Sequence, residues 1–67
     1  MIDQTVGIFY KNWKGETRWR RVVPQIIWFG ASPYHPAQQW FMKALDLEKQ
    51  EVRDFAMRDI KDWNHAL

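Results

Sequence analysis

Flat rings and cationic side chains are interleaved along two neighbouring segments of this chain. Residues 40–47, Trp-Phe-Met-Lys-Ala-Leu-Asp-Leu, predict a strand, and after a short acidic turn residues 52–55, Val-Arg-Asp-Phe, predict a second one that returns beside the first. Bases stack on aromatic faces while arginine and lysine bind phosphates. The pattern is therefore more typical of a site for bases and phosphates than of a catalytic centre.

Rings and basic groups suited to such a site come from four segments of the chain. On residue chemistry alone the candidates are Tyr10, Arg18, Trp19, Arg20, Trp40, Lys43 and Arg53. A second interpretation is equally physical: the tryptophans are core rings, and the arginines cover them with their aliphatic stems. A third is a protein interface, because exposed Trp, Tyr and Arg are the residues that dominate interface energetics.

Enzymatic chemistry has little support in the residues present. There is no cysteine, and the one serine, Ser32, has no neighbouring His–Asp arrangement. His35 and His65 are far apart and lack paired ligand spacing, so we expect no metal site. The glycines are isolated, which excludes a glycine-rich phosphate loop. We expect a protein that is not an enzyme and that uses no cofactor.

Length and composition limit the fold to one small domain. A chain of 67 residues buries only about 60% of its unfolded surface. Five Trp, four Phe and two Tyr supply large apolar area, but so small a body cannot bury every ring. Some rings must line a ligand site or a subunit interface, so a homo-oligomer is an open alternative.

Charge is distributed unevenly along the chain. Residues 1–43 carry six Lys and Arg against two acids, a net +4, whereas residues 44–67 carry four against six, a net −2. The first part therefore suits an anionic partner, although a solvated surface explains it equally well. No apolar run is long enough for a membrane span and no secretory signal is evident, which predicts a cytoplasmic protein with no membrane partner.

The order of short strands and turns predicts a mainly β fold. We expect a single domain over 1–67, strand-rich from 5 to 56, with a turn at 12–16, a break, an edge or a bulge at Pro24 and a loop at 30–36. Met57, Ile60, Trp63 and Leu67 follow a helical period and predict a short helix at about 57–66. The architecture expected is a small curled sheet or barrel of about five strands.

These residues together resemble the WYL domain, named for a Trp-Tyr-Leu tripeptide. The resemblance runs over about residues 6–60 and rests on the order of its parts: a strand ending in Tyr10, the Gly15-Glu16 turn, residues 19–24 (Trp-Arg-Arg-Val-Val-Pro), residues 40–42 (Trp-Phe-Met) and residues 53–55 (Arg-Asp-Phe) with Ile60. It implies an Sm-like or SH3-like β-barrel. It also implies a sensor of nucleotides or nucleic-acid fragments, regulatory in transcription or in defence.

The resemblance also implies roles for individual residues. Tyr10 and Trp40 fall on the family's first-strand tyrosine and eponymous tryptophan, and Arg20 and Arg53 on its pocket arginines. Gln25 stands where many relatives have His, and Asp59 where they tend to have Arg, which favours a smaller or less charged ligand. The ligand-binding set predicted here is Tyr10, Lys11, Arg20, Gln25, Trp40, Lys43 and Arg53.

Two functions remain open at this stage. In the first, the domain binds a nucleotide or oligonucleotide and either signals to a partner regulator protein or sequesters the ligand. In the second, it is a protein-interaction or oligomerisation module that uses exposed rings such as Trp13, Trp28 and Tyr34. The sequence feature that separates them is whether basic groups converge beside those rings.

Overall fold

A single antiparallel sheet of five strands makes up most of the molecule. The computed structural model describes residues 4–65. The strands are β1 (Val6–Lys11), β2 (Thr17–Ser32), β3 (His35–Asp46), β4 (Glu51–Ala56) and β5 (Ile60–Asn64), with a 3₁₀ turn at Met57–Asp59. Their order in the sheet is β4-β3-β2-β1-β5. The mainly β prediction is confirmed, and the sheet is not closed into a barrel, because β4 and β5 remain its two edges.

The first turn is organised by one asparagine side chain. Oδ1 of Asn12 accepts hydrogen bonds from the backbone N–H groups of Lys14 and Glu16 at 2.9 and 3.0 Å. The Asn12 N–H in turn donates to the Glu16 carbonyl at 2.8 Å. Gly15 has a φ of 85°, a conformation in which glycine avoids the Cβ clash of other residues. The turn predicted at 12–16 is thus confirmed.

Strand β2 is long and continues through Pro24. The sequence leaves a break, an edge position or a bulge open at this proline, and the structure places Pro24 at a register shift against β3, between the pairs Pro24–Ala44 and Ile26–Lys43. A bulge accommodates the missing N–H and bends the strand. At about 3.3 Å per residue, the 16 residues of β2 would span about 50 Å if straight. The molecule is only 36 Å in its longest dimension, so β2 is strongly curved.

The hairpin formed by β2 and β3 replaces the loop predicted at 30–36. Pairing continues to Ser32–His35, and the His35 N–H donates to Ser32 Oγ at 3.2 Å. Only Pro33 and Tyr34 lie between the strands. The prediction was wrong because two prolines were interpreted as ending regular structure. Pro33 lies in the turn itself, and Pro36 is tolerated near the start of β3.

The predicted C-terminal helix is wrong. Residues 57–59 form a 3₁₀ turn and residues 60–64 form β5, which pairs with β1. The pairs include Ile8–Trp63 and Tyr10–Ile60, with an irregularity between them that adds one residue to β5. Because of that extra residue, Ile60 and Trp63 are three positions apart in the sequence although their partners in β1 are only two positions apart. A bulge in a strand can therefore give apolar residues the same three-residue spacing that they have on one face of a helix. The remaining predicted position, Leu67, lies outside the described residues.

The core lies on one side of the sheet. Seven buried residues from β1 to β4 form it, with Ile60 packed against them: Val6, Ile8, Tyr10, Val22, Met42, Ala44 and Phe55. In β2 the buried Arg20 and Val22 alternate with less buried neighbours, which follows the period of two predicted from the sequence, whereas β1 is buried at three successive positions, residues 6–8. On the other side of β3, Phe41 is buried beneath the Trp28 ring, with 4.7 Å between ring centroids.

In the part of the chain that the structure describes, no helix is long and apolar enough to cross a lipid bilayer.

Candidate functional site

A cavity of about 270 Å³ lies where four segments meet: the end of β1 with its turn, the start of β2, the tip of the β2–β3 hairpin, and β4. We call it the hairpin cavity. Its lining combines rings, arginines and short polar side chains: Tyr10, Asn12, Trp13, Arg20, Ser32, Pro33, Tyr34, His35, Arg53, Asp54 and Phe55. The curvature of β2 is what brings the hairpin tip back to the first turn.

Arg20 is the most deeply buried cation of the cavity. The residue is 5% exposed, and its Nη1 donates to Oδ2 of the fully buried Asp46 at 3.1 Å. Its Nε is also buried, yet it has no hydrogen-bond partner among the described residues. A buried donor without an acceptor costs about 1–3 kcal/mol, so Arg20 is held at the inner end of the cavity with one hydrogen-bonding group unsatisfied.

Arg53 provides a second cation that is not neutralised by an ion pair. It lies on β4, opposite Ala44 of β3, and is half-buried. Within residues 4–65 its guanidinium makes no salt bridge and no side-chain hydrogen bond. Arginine offers a planar set of donors that matches carboxylate and phosphate oxygens. Arg53 is therefore the cation most available to an anion in the hairpin cavity.

Tyr10 adds a hydroxyl donor beside the two arginines. Its oxygen accepts a hydrogen bond from the Ala56 N–H at 3.1 Å, and its ring meets Phe55 edge-on at 4.9 Å. Burial is the main cause that raises the pKa of Tyr10 above 10.0, so the hydroxyl stays protonated at neutral pH. Its O–H hydrogen is not used by any described residue and remains available to an acceptor in the cavity.

Two exposed rings stand at the outer end of the cavity. Trp13 is 74% exposed and Tyr34 is 79% exposed. Trp13 is carried by the turn that Asn12 holds, and Lys14 Nζ lies 5.4 Å from the centre of its ring. The hairpin cavity thus runs from an inner end of buried arginine and tyrosine to an outer end of aromatic faces. Such faces are the surfaces on which bases stack.

Acidic groups limit the positive charge of the cavity. Asp54 contributes to the lining, and its Oδ1 accepts from Trp28 Nε1 at 2.8 Å. His35 Nε2 lies 3.5 Å from Asp59 Oδ2. Asp46 is paired with Arg20, so the positive charge of the two arginines is balanced by a comparable number of nearby carboxylates. The cavity is therefore a site with directed donors and little net charge.

The structure brings together three of the seven residues predicted to bind a ligand. Tyr10, Arg20 and Arg53 line the hairpin cavity, whereas Lys11, Gln25, Trp40 and Lys43 do not. Lys11 and Gln25 are exposed, at the end of β1 and at the β2 bulge. Trp40 is 56% exposed and packs edge-on against Phe29 at 5.3 Å. The roles assigned to these four residues stay predictions and have no support from the cavity.

Sequence reasoning assigned Trp13 and Tyr34 to the alternative function, a protein interface. Both lie in turns, and turns at opposite ends of a flat sheet would not meet. The length of the β2–β3 pairing was the signal that could have placed them together, because a strand of 16 residues must bend in so small a domain. That signal was hidden because a break at Pro24 was one of the outcomes expected and residues 30–36 were predicted to form a loop.

Comparison of the chain with protein-family models, with curated proteins and with solved structures finds no match. The resemblance to the WYL domain accordingly remains an interpretation of the residues themselves.

Proposed function

We propose that this protein is a non-enzymatic ligand-binding domain that holds a nucleotide or a nucleic-acid fragment in the hairpin cavity. The observation that carries the proposal is the convergence of Arg20 and Arg53 on a cavity whose outer end bears two exposed rings. Cationic forks for phosphate and flat faces for a base are the two components that nucleotide recognition needs.

The proposed division of labour follows the burial of each group. Arg53, free of an ion pair among the described residues, meets phosphate oxygens, and Arg20 and Tyr10 add donors from the buried end. Trp13 and Tyr34 supply stacking surfaces, in place of the Trp40 predicted from the sequence. Consistent with the resemblance to the WYL domain, we place the protein in the cytoplasm as a regulatory sensor in transcription or defence signalling.

Calorimetry with a panel of mononucleotides, cyclic dinucleotides and short oligonucleotides tests this function. We expect at least one member to bind, and Arg53→Gln to weaken that binding tenfold or more. Arg58→Gln is the matched control, because Arg58 is an exposed arginine of the 3₁₀ turn that does not line the cavity. A panel with no binder, or an equal response from the two variants, would refute the proposal.

A second candidate function rests on a different surface. Beyond the bulge, the β2–β3 hairpin exposes Ile27 (50%), Phe29 (53%) and Trp40 (56%). The register pairs Phe29 with Trp40 and places Ile27 two residues from Phe29, so the three share one side of the hairpin. A contiguous apolar patch of this kind is a feature of protein or subunit interfaces.

Light scattering over a range of concentrations tests the interface function. An oligomer that dissociates in Phe29→Ser, and whose assembly is indifferent to nucleotide, would favour an interaction module. Val52→Ser is a suitable control, because Val52 is also 50% exposed but lies on β4, opposite Leu45 and outside this patch. A monomer at every concentration would exclude self-assembly through this patch.

A further inference from the structure

We infer that the hairpin cavity is selective for a terminal phosphate monoester, the free end of a nucleotide or of a short strand, over the internal phosphodiesters of a nucleic-acid chain. The inference rests on the proposed function and specifies its ligand. It follows from the depth, the size and the donor set of the cavity.

Depth sets the orientation of the ligand. Tyr10, Arg20 and Phe55 at the inner end are at most 7% exposed, whereas Trp13 and Tyr34 at the outer end are more than 70% exposed. The buried donors suit phosphate and the exposed rings suit a base. A nucleotide therefore enters with its phosphate first and leaves its base at the surface.

Size determines how much of the ligand is enclosed. A cavity of about 270 Å³ is smaller than the range of about 300–1,000 Å³ that encloses a drug-sized molecule. One phosphate and its sugar can enter, while the base lies against the outer rings. An internal phosphodiester carries a sugar on each side, so it could reach the buried donors only if both sugars and the continuing strand entered too.

The donors available match three phosphate oxygens. They belong to the guanidinium groups of Arg20 and Arg53 and to the O–H of Tyr10, and all three residues line the cavity. A phosphate monoester presents three acceptor oxygens and a charge of about −1.5 to −2 at pH 7. A phosphodiester presents two unsubstituted oxygens and a single negative charge. Directed donors in a site of little net charge favour the phosphate monoester over the phosphodiester.

The same charge balance disfavours binding of a long polyanion. Affinity for a nucleic-acid chain grows with the number of phosphates that are neutralised. Here Asp46 is paired with Arg20, and Asp54 lies beside Arg53 in the sequence and in the lining. The cavity consequently offers neutralising charge for one terminal group and little for each additional phosphate.

Calorimetry on the wild-type chain with five matched probes tests the inference: thymidine, thymidine 5′-monophosphate, its 5′-methyl phosphodiester, and a thymidine tetranucleotide with and without a 5′-phosphate. We expect the two monoesters to bind within about threefold of each other. We expect them to bind at least tenfold tighter than the methyl diester and the unphosphorylated tetranucleotide. Arg53→Gln should reduce this preference at least tenfold, and Arg58→Gln should preserve it.

The outcomes separate the two levels of the argument. If the unphosphorylated tetranucleotide binds as tightly as its phosphorylated form, selectivity for a terminal group is wrong while nucleotide binding stands. If affinity rises tenfold or more from the monophosphate to the phosphorylated tetranucleotide, the cavity does not bind one terminal phosphate alone. The inference is then wrong while nucleotide binding stands. If none of the five probes binds, the inference fails, and the wider panel with its cyclic dinucleotides decides whether the proposed function fails with it.

Discussion

Arg20 and Asp46 form a buried ion pair between the start of β2 and the end of β3. Nη1 of Arg20 lies 3.1 Å from Oδ2 of Asp46, and their side chains are 6% and 0% exposed. The other oxygen, Oδ1, accepts from the backbone N–H groups of Glu48 and Lys49 at 3.0 and 3.3 Å. One carboxylate therefore fixes both a cavity arginine and the turn that leads into β4.

Asp46→Asn should destabilise the fold severely. The substitution leaves an oxygen for the turn but removes the charge that compensates Arg20, and breaking a buried pair typically costs about 3–5 kcal/mol. Urea denaturation measures the loss. Glu48→Gln is the control, because Glu48 meets Arg18 only at 3.7 Å on the surface, where substitutions stay within about 0.5 kcal/mol. Equal midpoints for the two variants would contradict this account of the pair.

Tyr10→Phe should be destabilising although the ring is retained. The Ala56 N–H donates to the Tyr10 hydroxyl, and Ala56 is fully buried. Without the hydroxyl the donor has no acceptor, at a cost of about 1–3 kcal/mol. The control is Tyr34→Phe, since that side chain is 79% exposed. Thermal unfolding of both variants checks the prediction, and a Tyr10→Phe protein as stable as the wild type would show that water satisfies the amide.

The same tyrosine should make stability fall at alkaline pH. Burial is the first cause of its raised pKa, so at high pH the unfolded chain loses this proton before the folded one does. The stabilisation is complete below about pH 10, the pKa of tyrosine in the unfolded chain. It is lost as the pH rises through the higher pKa of Tyr10 in the folded chain. The stability difference between wild type and Tyr10→Phe should therefore narrow above pH 10. Melting temperatures from pH 8 to 11.5 measure it, and a constant difference would contradict the linkage.

The sequence predicted individual strands better than the turns and bulges that connect or interrupt them. β1, β4 and the turn at Gly15 follow from alternation and turn chemistry, which act over a few residues. A bulge was among the outcomes expected at Pro24, but the loop predicted through Pro36 was wrong, because a strand start accommodates a proline only in a particular tertiary context. The helix predicted at 57–66 failed for a related reason: pairing across a bulge placed Ile60 and Trp63 on one side.

The candidate site was predictable in its cations and not in its rings. Arg20 and Arg53 lie on strands whose faces follow from the period of two, so their convergence needed only the correct strand order. Trp13 and Tyr34 lie in turns far apart in a flat sheet, and only the curvature of β2 brings them to one cavity. Trp40, expected as a wall, lies on the extended hairpin outside the lining because the hairpin continues beyond the core.

Two glycines should respond to alanine for different reasons. At Gly15 a Cβ meets nothing within 4 Å, so the cost of Gly15→Ala is that of a φ of +85°, about 1–2 kcal/mol. Gly15→Asn should recover part of it, because asparagine tolerates this conformation better. At Gly30 a Cβ would lie 2.6 Å from Cζ3 of Trp28. Chemical denaturation of the three variants gives the costs.

Trp28 cannot easily yield to a new Cβ at Gly30, because its ring stacks on Phe41 and its Nε1 is bonded to Asp54. Gly30→Ala should consequently be destabilising, and Trp28→Leu should reduce the additional cost of that substitution. A double-mutant cycle measures the coupling. Independent, additive effects of the two substitutions would show that the clash is relieved elsewhere.

Asp54→Asn should tighten the binding of a phosphate ligand in the hairpin cavity. Asparagine can keep an oxygen for Trp28 Nε1, so the substitution retains that hydrogen bond while it removes a negative charge from a lining residue next to Arg53 in the sequence. Exposed charges interact weakly, by about 0.2–1 kcal/mol, which corresponds to an increase in affinity of up to about fivefold. The gain should shrink with added salt, since screening weakens the original repulsion.

Calorimetry with thymidine 5′-monophosphate at 50 and 300 mM salt measures both effects. Asp62→Asn, on exposed β5, provides a control of equal charge change. An equal gain from both variants would mean that net charge, and not the position of Asp54 in the cavity, controls binding.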